Sequence, residues 1–82
     1  MYELIGFRRL DIEAERKGDN DLYGYSCWFT VDENDPDFHG RSACKVYFSD
    51  DKFPEFQPQI GDKYLLIFNQ KGKIQGFQKL DG

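Results

Sequence analysis

Residues 22–31 read LYGYSCWFTV, the clearest β-strand pattern in the chain. Every second residue from Tyr23 to Val31 is apolar, and Trp28 falls between two of them. Side chains alternate between the two faces of a strand, so the apolar set is predicted to face a core. The same alternation predicts that Trp28 points outward, with Ser26 and Thr30 beside it.

Four further segments have strand character and flank this one on both sides. They span residues 2–15, 41–49, 63–69 and 74–80. Gly6 interrupts the first, which is typical of a bulge or bend in a long strand. The third of these segments, 63–69, is apolar on both faces, which predicts a central strand. Gly72 is predicted to take the left-handed position of a tight hairpin turn.

The connection 50–59 is short and interrupted by prolines. Pro54 and Pro58 exclude a long helix, although Asp50 or Asp51 could cap a single helical turn. Five strands with this connection predict an all-β fold, a small five-stranded Greek-key barrel of OB type, formed by residues 1–82 as a single domain. An SH3-like barrel uses similar elements and stays open as an alternative. The predicted core consists of Leu10, Ile12, Cys27, Phe29, Val31, Val46, Phe48, Leu66 and Ile67.

Size and composition restrict the class of protein. A chain of 82 residues has room for one core, and its aromatic content of 17% is high. No apolar run approaches the roughly 20 residues that cross a membrane, and the first residues lack a secretory signal. Cys27 and Cys44 lack the spacing of a zinc site. We expect both to be reduced thiols in a cytoplasmic protein, although an extracellular chain could pair them.

The negative charge of the chain is local. The formal net charge is −4, yet residues 19–37 hold six acids and no base. Outside that segment the 11 bases outnumber the other nine of the 15 acids. Phosphate binding depends on lysine and arginine, so a mildly basic body with one acidic segment is compatible with a phosphate-binding face.

Catalytic and metal-binding patterns are weak. His39 is the single histidine, and a dyad with Cys27 or Cys44 would need a thiol that the alternation places inward. The acids between Asp32 and Asp37 lack the glycine and the terminal glutamate of a calcium loop. We therefore predict a protein that is not an enzyme and uses no cofactor or metal.

One predicted face combines aromatic rings with bases. Such a face binds single-stranded nucleic acid, because each stacked base contributes about 1–3 kcal/mol while cations contact the phosphates. The alternative is that Trp28 and Tyr47 cover one end of the barrel and the bases are ordinary surface charge. The candidate residues of this face are Arg8, Arg9, Trp28, Arg41, Lys45, Tyr47, Lys71, Lys73, Phe77 and Lys79.

A proline and aromatic connection, residues 53–58 (FPEFQP), precedes Gly61 and Tyr64 at the start of the fourth strand. With the chain length and strand order, this pattern resembles the small single-stranded-DNA-binding proteins of filamentous phages and related mobile elements. The resemblance implies an OB fold, a homodimer, cooperative binding of single-stranded DNA or RNA, and a role in DNA replication. It also implies base stacking on Tyr25, Trp28, Tyr47 and Phe77.

A second hypothesis assigns the function to the acids. A small acidic phage-type protein could inhibit a host nuclease or CRISPR effector by imitating DNA charge against a basic DNA-binding channel. In that case the functional residues are Asp32, Glu33, Asp35 and Asp37, with Trp28 as an anchor. The two hypotheses assign opposite roles to these acids, so removing them distinguishes the two.

Overall fold

The computed structural model describes residues 1–13, 22–32 and 35–80. These residues form one antiparallel sheet with the strand order β3-β2-β1-β4-β5. Within the described ranges there is no helix, and hence none long and apolar enough to cross a membrane. The strands are β1 (Tyr2–Ile12), β2 (Leu22–Asp32), β3 (Arg41–Ser49), β4 (Lys63–Phe68) and β5 (Ile74–Leu80).

The predicted all-β fold of five strands is confirmed, with bounds close to those expected. The last two residues of the predicted segment 2–15 lie outside the described residues. Gly72 has a φ of 78° and stands in the β4–β5 turn, as predicted. The connection 50–59 forms turns, and its first turn is capped by Ser49, whose Oγ accepts the Lys52 backbone N–H at 3.3 Å.

A bulge changes the facing of β1 partway along its length. Leu4 lies opposite Phe29 on β2, but after one extra residue Gly6 lies opposite Trp28 and Phe7 opposite Cys27. Residues with even numbers therefore face inward before the bulge, and residues with odd numbers face inward after it. The disturbance near Gly6 is as predicted, but it also reverses the faces of the rest of the strand.

The core is a cluster of aromatic rings between the curled halves of the sheet. The rings of Phe48 and Phe56 stack with their centroids 4.0 Å apart, and Tyr64 and Phe29 meet edge to face at 5.9 Å. Such contacts add about 0.5–1.5 kcal/mol each to the burial itself. The buried hydrophobic residues are Leu4, Cys27, Phe29, Val46, Phe48, Phe56, Tyr64 and Ile74.

The predicted core is correct for Cys27, Phe29, Val46 and Phe48, and it is wrong in part for the other predicted residues. Ile12 is exposed because the bulge places it on the outer face, and Leu10 beside it is only half-buried. Ile67 is exposed on the outer face of β4. Val31 and Leu66 are half-buried rather than fully enclosed.

The sheet is not closed into a barrel. Its two end strands, β3 and β5, approach each other, but no ladder of hydrogen bonds joins them in the described chain. The gap between them is lined by side chains from both strands and from the turns that precede β4 and β5. This gap determines the shape of the candidate site.

Candidate nucleic-acid interface

The outer face of β2 and β3 carries aromatic and basic side chains in adjacent positions. Trp28 lies directly opposite Lys45, and Ser26 lies opposite Tyr47. The ammonium of Lys45 is 5.2 Å from the centroid of the Trp28 ring, which is cation–π geometry. The register therefore places these four residues on one face, as the alternation predicts.

Strand β1 extends this face on the other side of β2. Arg8 lies opposite Ser26, and Gly6 lies opposite Trp28. A Cβ placed on Gly6 would have no atom within 4 Å, so one flank of the half-buried Trp28 is open. We call Arg8, Trp28, Lys45 and Tyr47 the aromatic–basic face.

A groove continues from this face across the gap between β3 and β5. Its volume is about 370 Å³, and Lys45 and Tyr47 form one wall. Gly72, Lys73 and Ile74 line it from the start of β5 and the turn before it, and Phe53 and Phe68 also line it. Lys45, Lys52 and Lys73 bring three positive charges to a lining that has no carboxylate among the described residues. We call this cavity the lysine groove.

Lys52 connects the two sides of the lysine groove. Its Nζ donates a hydrogen bond of 3.0 Å to the carbonyl oxygen of Ile74, the first residue of β5. The same ammonium lies 5.6 Å from the centroid of the Phe53 ring. Lys52 is positioned by the turn after β3. In this turn the Phe53 backbone N–H donates a hydrogen bond of 2.8 Å to the carbonyl oxygen of Ser49.

The β4–β5 turn holds Lys73 at the rim of the groove. Asn69 Oδ1 accepts the backbone N–H groups of Lys71 at 2.9 Å and Lys73 at 3.0 Å. Such Asx-type bonding fixes a short turn without regular secondary structure. Lys73 lines the groove, whereas Lys71 is exposed at the tip of the turn and does not line it.

Two of the predicted arginines are engaged by carboxylates. Arg9 donates to both oxygens of Asp50, at 2.8 and 2.6 Å, and also contacts Asp11. Hydrogen bonding to Asp50 is the main reason why the pKa of Arg9 is raised, and the same bond lowers the pKa of Asp50. Arg41 pairs with Asp32 at 2.9 Å and with Glu3 at 3.8 Å. These two arginines are less available to phosphates than Arg8 or Lys45.

Two of the predicted aromatic residues lie on the inner face. Phe77 packs against the core, with its ring centroid 5.2 Å from Phe56 and 5.7 Å from Phe48. Tyr25 contacts Phe56 and lies under Arg9, whose guanidinium is 4.9 Å from the ring centroid. The structure therefore separates both residues from Trp28 and Tyr47. Lys79 also lies apart, paired with Asp62 at 3.4 Å.

The thiols lie in environments that suppress reactivity. Cys27 is fully buried, and burial raises the pKa of its thiol to about 12. Burial also raises the pKa of the Cys44 thiol. His39 is exposed in the loop before β3, and no group of three or more potential metal ligands occurs in the described residues.

The sequence interpretation missed Lys52, Phe53 and Phe68 as parts of the site. Lys52 and Phe53 lie in the connection 50–59, and Phe68 is the last residue of β4. The sequence signal for this part of the site is the adjacent pair Lys52 and Phe53, a base beside an aromatic residue just after β3. The position of β5 beside that turn could not be read from the chain.

Comparisons with known proteins add no relative. No family model, no curated protein and no solved structure matches the chain.

Proposed function

We propose that the protein binds single-stranded nucleic acid, DNA or RNA, without catalysis. The bound nucleic-acid strand lies across the aromatic–basic face and enters the lysine groove. The observation that carries the proposal is the continuity of these two surfaces: Lys45 belongs to both, beside Trp28 on one side and within the groove on the other. Stacking surfaces next to a row of cations are what a single strand requires.

We further propose that the fold is OB-like. The order β3-β2-β1-β4-β5, with β3 and β5 as approaching ends, supports this assignment because OB folds are five-stranded Greek-key barrels that are partly open. In that fold the β2–β3 face and the loop between β4 and β5 bind oligonucleotides. The corresponding surfaces here are the aromatic–basic face and the turn that carries Lys73.

The geometry favours nucleic acid over the rival hypothesis of a DNA-mimicking inhibitor. Asp32 is already paired with Arg41, and Asp35 Oδ1 accepts the backbone N–H of Asp37 at 2.9 Å. These contacts reduce the number of loop carboxylates that face a partner without competition. No described carboxylate lies within ion-pair distance of Lys45 or Lys73.

The test is a titration with a labelled oligo-dT at low salt. Trp28 is the single tryptophan of the chain, so stacking of a base on its ring should quench the intrinsic fluorescence. Trp28→Ala should weaken binding by about 1–3 kcal/mol because it removes a stacking surface, whereas Trp28→Phe should retain most of the affinity. Circular dichroism confirms that each variant is folded.

Salt dependence tests the groove separately. Lys45→Ala and Lys73→Ala should each lower the slope of log affinity against log salt by about 0.7, the value for one lost phosphate contact on a single strand. Lys63→Ala is the matched control, since Lys63 lies near Glu3 and Asp32 and away from the groove. Absence of binding at micromolar protein and low salt, or equal effects of all three lysine variants, would contradict the proposal.

A further inference from the structure

The lysine groove gathers more positive charge than the rest of the proposed interface. On the aromatic–basic face, Arg8 of β1 and Lys45 of β3 lie on opposite sides of β2. In the groove, Lys45, Lys52 and Lys73 line a single cavity of about 370 Å³, and no carboxylate lines it within the described ranges. Three positive charges therefore belong to one small volume.

The acids nearest to the groove in sequence do not neutralise it. Asp50 and Asp51 directly precede Lys52, but neither lines the cavity. Arg9 donates to both carboxylate oxygens of Asp50, at 2.8 and 2.6 Å. In the part of the chain that the structure describes, no ion pair involves a lysine of the groove. The charge of these lysines is therefore available to a ligand.

Hydroxyl groups add hydrogen-bond donors to the same lining, which includes Tyr47 and Ser49. Ser49 Oγ accepts the Lys52 backbone N–H at 3.3 Å, which leaves its own O–H to donate. The Lys52 ammonium has three N–H donors and uses one of them on the Ile74 carbonyl, so two remain. Ammonium and hydroxyl donors are groups with which proteins bind phosphate oxygens.

The size of the groove suits one nucleotide unit rather than a length of strand. Its volume of about 370 Å³ is near the lower end of the roughly 300–1,000 Å³ that small-molecule sites enclose. Phe53 and Phe68 also line it and offer apolar surface to a sugar or a base. The groove therefore combines cations, hydroxyl donors and aromatic surface in a space of nucleotide size.

The two kinds of phosphate on a nucleic acid differ in charge. Each phosphodiester inside a strand carries one negative charge. A phosphomonoester at a strand end carries about 1.5 to 2 negative charges at pH 7 and presents three acceptor oxygens. A cavity lined by three lysines matches the monoester better, because the monoester has both the higher charge and the larger number of free acceptors.

We propose that the lysine groove binds the terminal phosphomonoester of a nucleic-acid strand, so that the protein prefers phosphorylated strand ends to strand interiors. The end enters the groove, and the nucleotides next to it lie across the aromatic–basic face. Lys45 connects the two, because it lines the groove and contacts the Trp28 ring. This inference rests on the proposed function, since the bound strand is what presents the phosphate.

The test compares three oligo-dT strands of equal length: one with a 5′-phosphate, one with a 3′-phosphate and one with hydroxyl groups at both ends. Quenching of the Trp28 fluorescence reports binding, so that no label occupies either end. At one low salt concentration, a phosphorylated strand should bind about tenfold more tightly than the hydroxyl-ended strand, because it adds charged hydrogen bonds. The phosphorylated strand that shows the gain identifies the end that enters the groove.

Lys73→Gln tests whether the groove causes this preference. The variant removes one charge from the lining and should reduce the ratio of the two affinities from about tenfold to about two- to threefold. Lys63→Gln is the matched control, since Lys63 lies near Glu3 and Asp32, and it should keep the wild-type ratio. Circular dichroism checks the fold, and Lys45→Gln takes the place of Lys73→Gln if the latter is unfolded.

The failure of this inference and the failure of the proposed function give different results. Equal affinity of the wild type for all three strands would overturn the inference and leave the proposed function in place. A wild-type ratio in the folded groove variant, or an equal loss of preference in Lys63→Gln, would also overturn it. Absence of binding by every strand at low salt would instead remove the proposed function, and the inference with it.

Discussion

Cys27 illustrates how a single buried side chain links the fold to pH. Its thiol lies on the inner face of β2, opposite Val46, and is fully enclosed. Burial penalises the thiolate and raises the thiol pKa to about 12. Tyr64, also buried, has its phenol pKa raised by burial first and by the nearby Asp62 second. Both groups are therefore held in their neutral forms by the fold.

We expect the protein to lose stability as pH rises above about 9. The unfolded chain releases the Cys27 proton near the ordinary thiol pKa, while the folded chain keeps it until about pH 12. Between these values the unfolded state binds fewer protons, so raising the pH favours unfolding. Urea unfolding at several alkaline pH values measures the slope, which is at most about 1.4 kcal/mol per pH unit for one group.

Cys27→Ala provides the control for this pH dependence. The variant lacks the thiol and should show a shallower decline of the unfolding free energy across the same range. The decline that remains is attributed to Cys44, whose thiol pKa is also raised by burial, and at higher pH to Tyr64 and Tyr47. An identical slope in Cys27→Ala and wild type would show that the thiol does not contribute.

At the scale of strands, β1 shows what alternation can predict and what it cannot. The strand itself, and a disturbance at Gly6, follow from the composition. The pattern after the bulge also looked regular, but the extra residue moved Leu10 and Ile12 to the outer face and Phe7 to the inner face. Alternation divides the side chains of each strand into two sets, one on each face of the sheet. Which set faces inward depends on the register with the neighbouring strand.

Two glycines in adjacent strands allow a prediction with an internal control. A Cβ on Gly24 would collide with the backbone carbonyl oxygen of Phe48 and lie 2.9 Å from the Cα of Ser49. Backbone atoms of a hydrogen-bonded strand cannot move aside cheaply, so Gly24→Ala should lower the unfolding free energy by roughly 1–3 kcal/mol. Thermal or urea unfolding measures the change.

Gly6→Ala is the matched variant. A Cβ there meets no atom within 4 Å, so the change should be neutral or stabilise by about 0.4–1 kcal/mol through the unfolded state. If both variants were equally destabilised, the close approach between Gly24 and β3 would not explain the effect.

At the scale of the whole molecule, charge is separated between a loop and the candidate interface. Asp35 and Asp37 are exposed in the loop before β3, while Lys45, Lys52 and Lys73 meet at the groove. The net charge of −4 is the sum over the whole chain, so it gives the local charge of neither the loop nor the groove. The loop acids should repel a nucleic acid at long range, and this effect depends on salt.

Neutralising this loop should strengthen binding of single-stranded DNA. The double variant Asp35→Asn and Asp37→Asn keeps the side-chain oxygen that accepts the Asp37 N–H, so the loop can retain its shape. We expect the affinity for oligo-dT to rise by about two- to fivefold at low salt and the difference to vanish at high salt. Unchanged DNA binding together with loss of a protein partner would favour the inhibitor hypothesis.

The candidate site was only partly predictable at this scale. Trp28, Lys45 and Tyr47 follow from alternation in two strands that are adjacent in the chain and pair with each other. The lysine groove does not follow from alternation. It places Lys52, in the turn after β3, against Ile74 of β5, which lies 22 residues later in the sequence. Pairings over such separations depend on how the sheet curls, which no local pattern records. The inward position of Phe77 depends on the same curl.

The hydrogen bond from Lys52 to the Ile74 carbonyl has a consequence for the proposed binding of nucleic acid. One ammonium both ties the walls of the lysine groove together and presents charge inside it. An anion that draws this ammonium away from the carbonyl also releases the tie. Binding and widening of the groove then become linked equilibria: occupancy favours the wider groove, and a wider groove admits the ligand more readily. This hydrogen bond joins the two sides of the gap beside the ring contacts that Phe77 makes with Phe48 and Phe53.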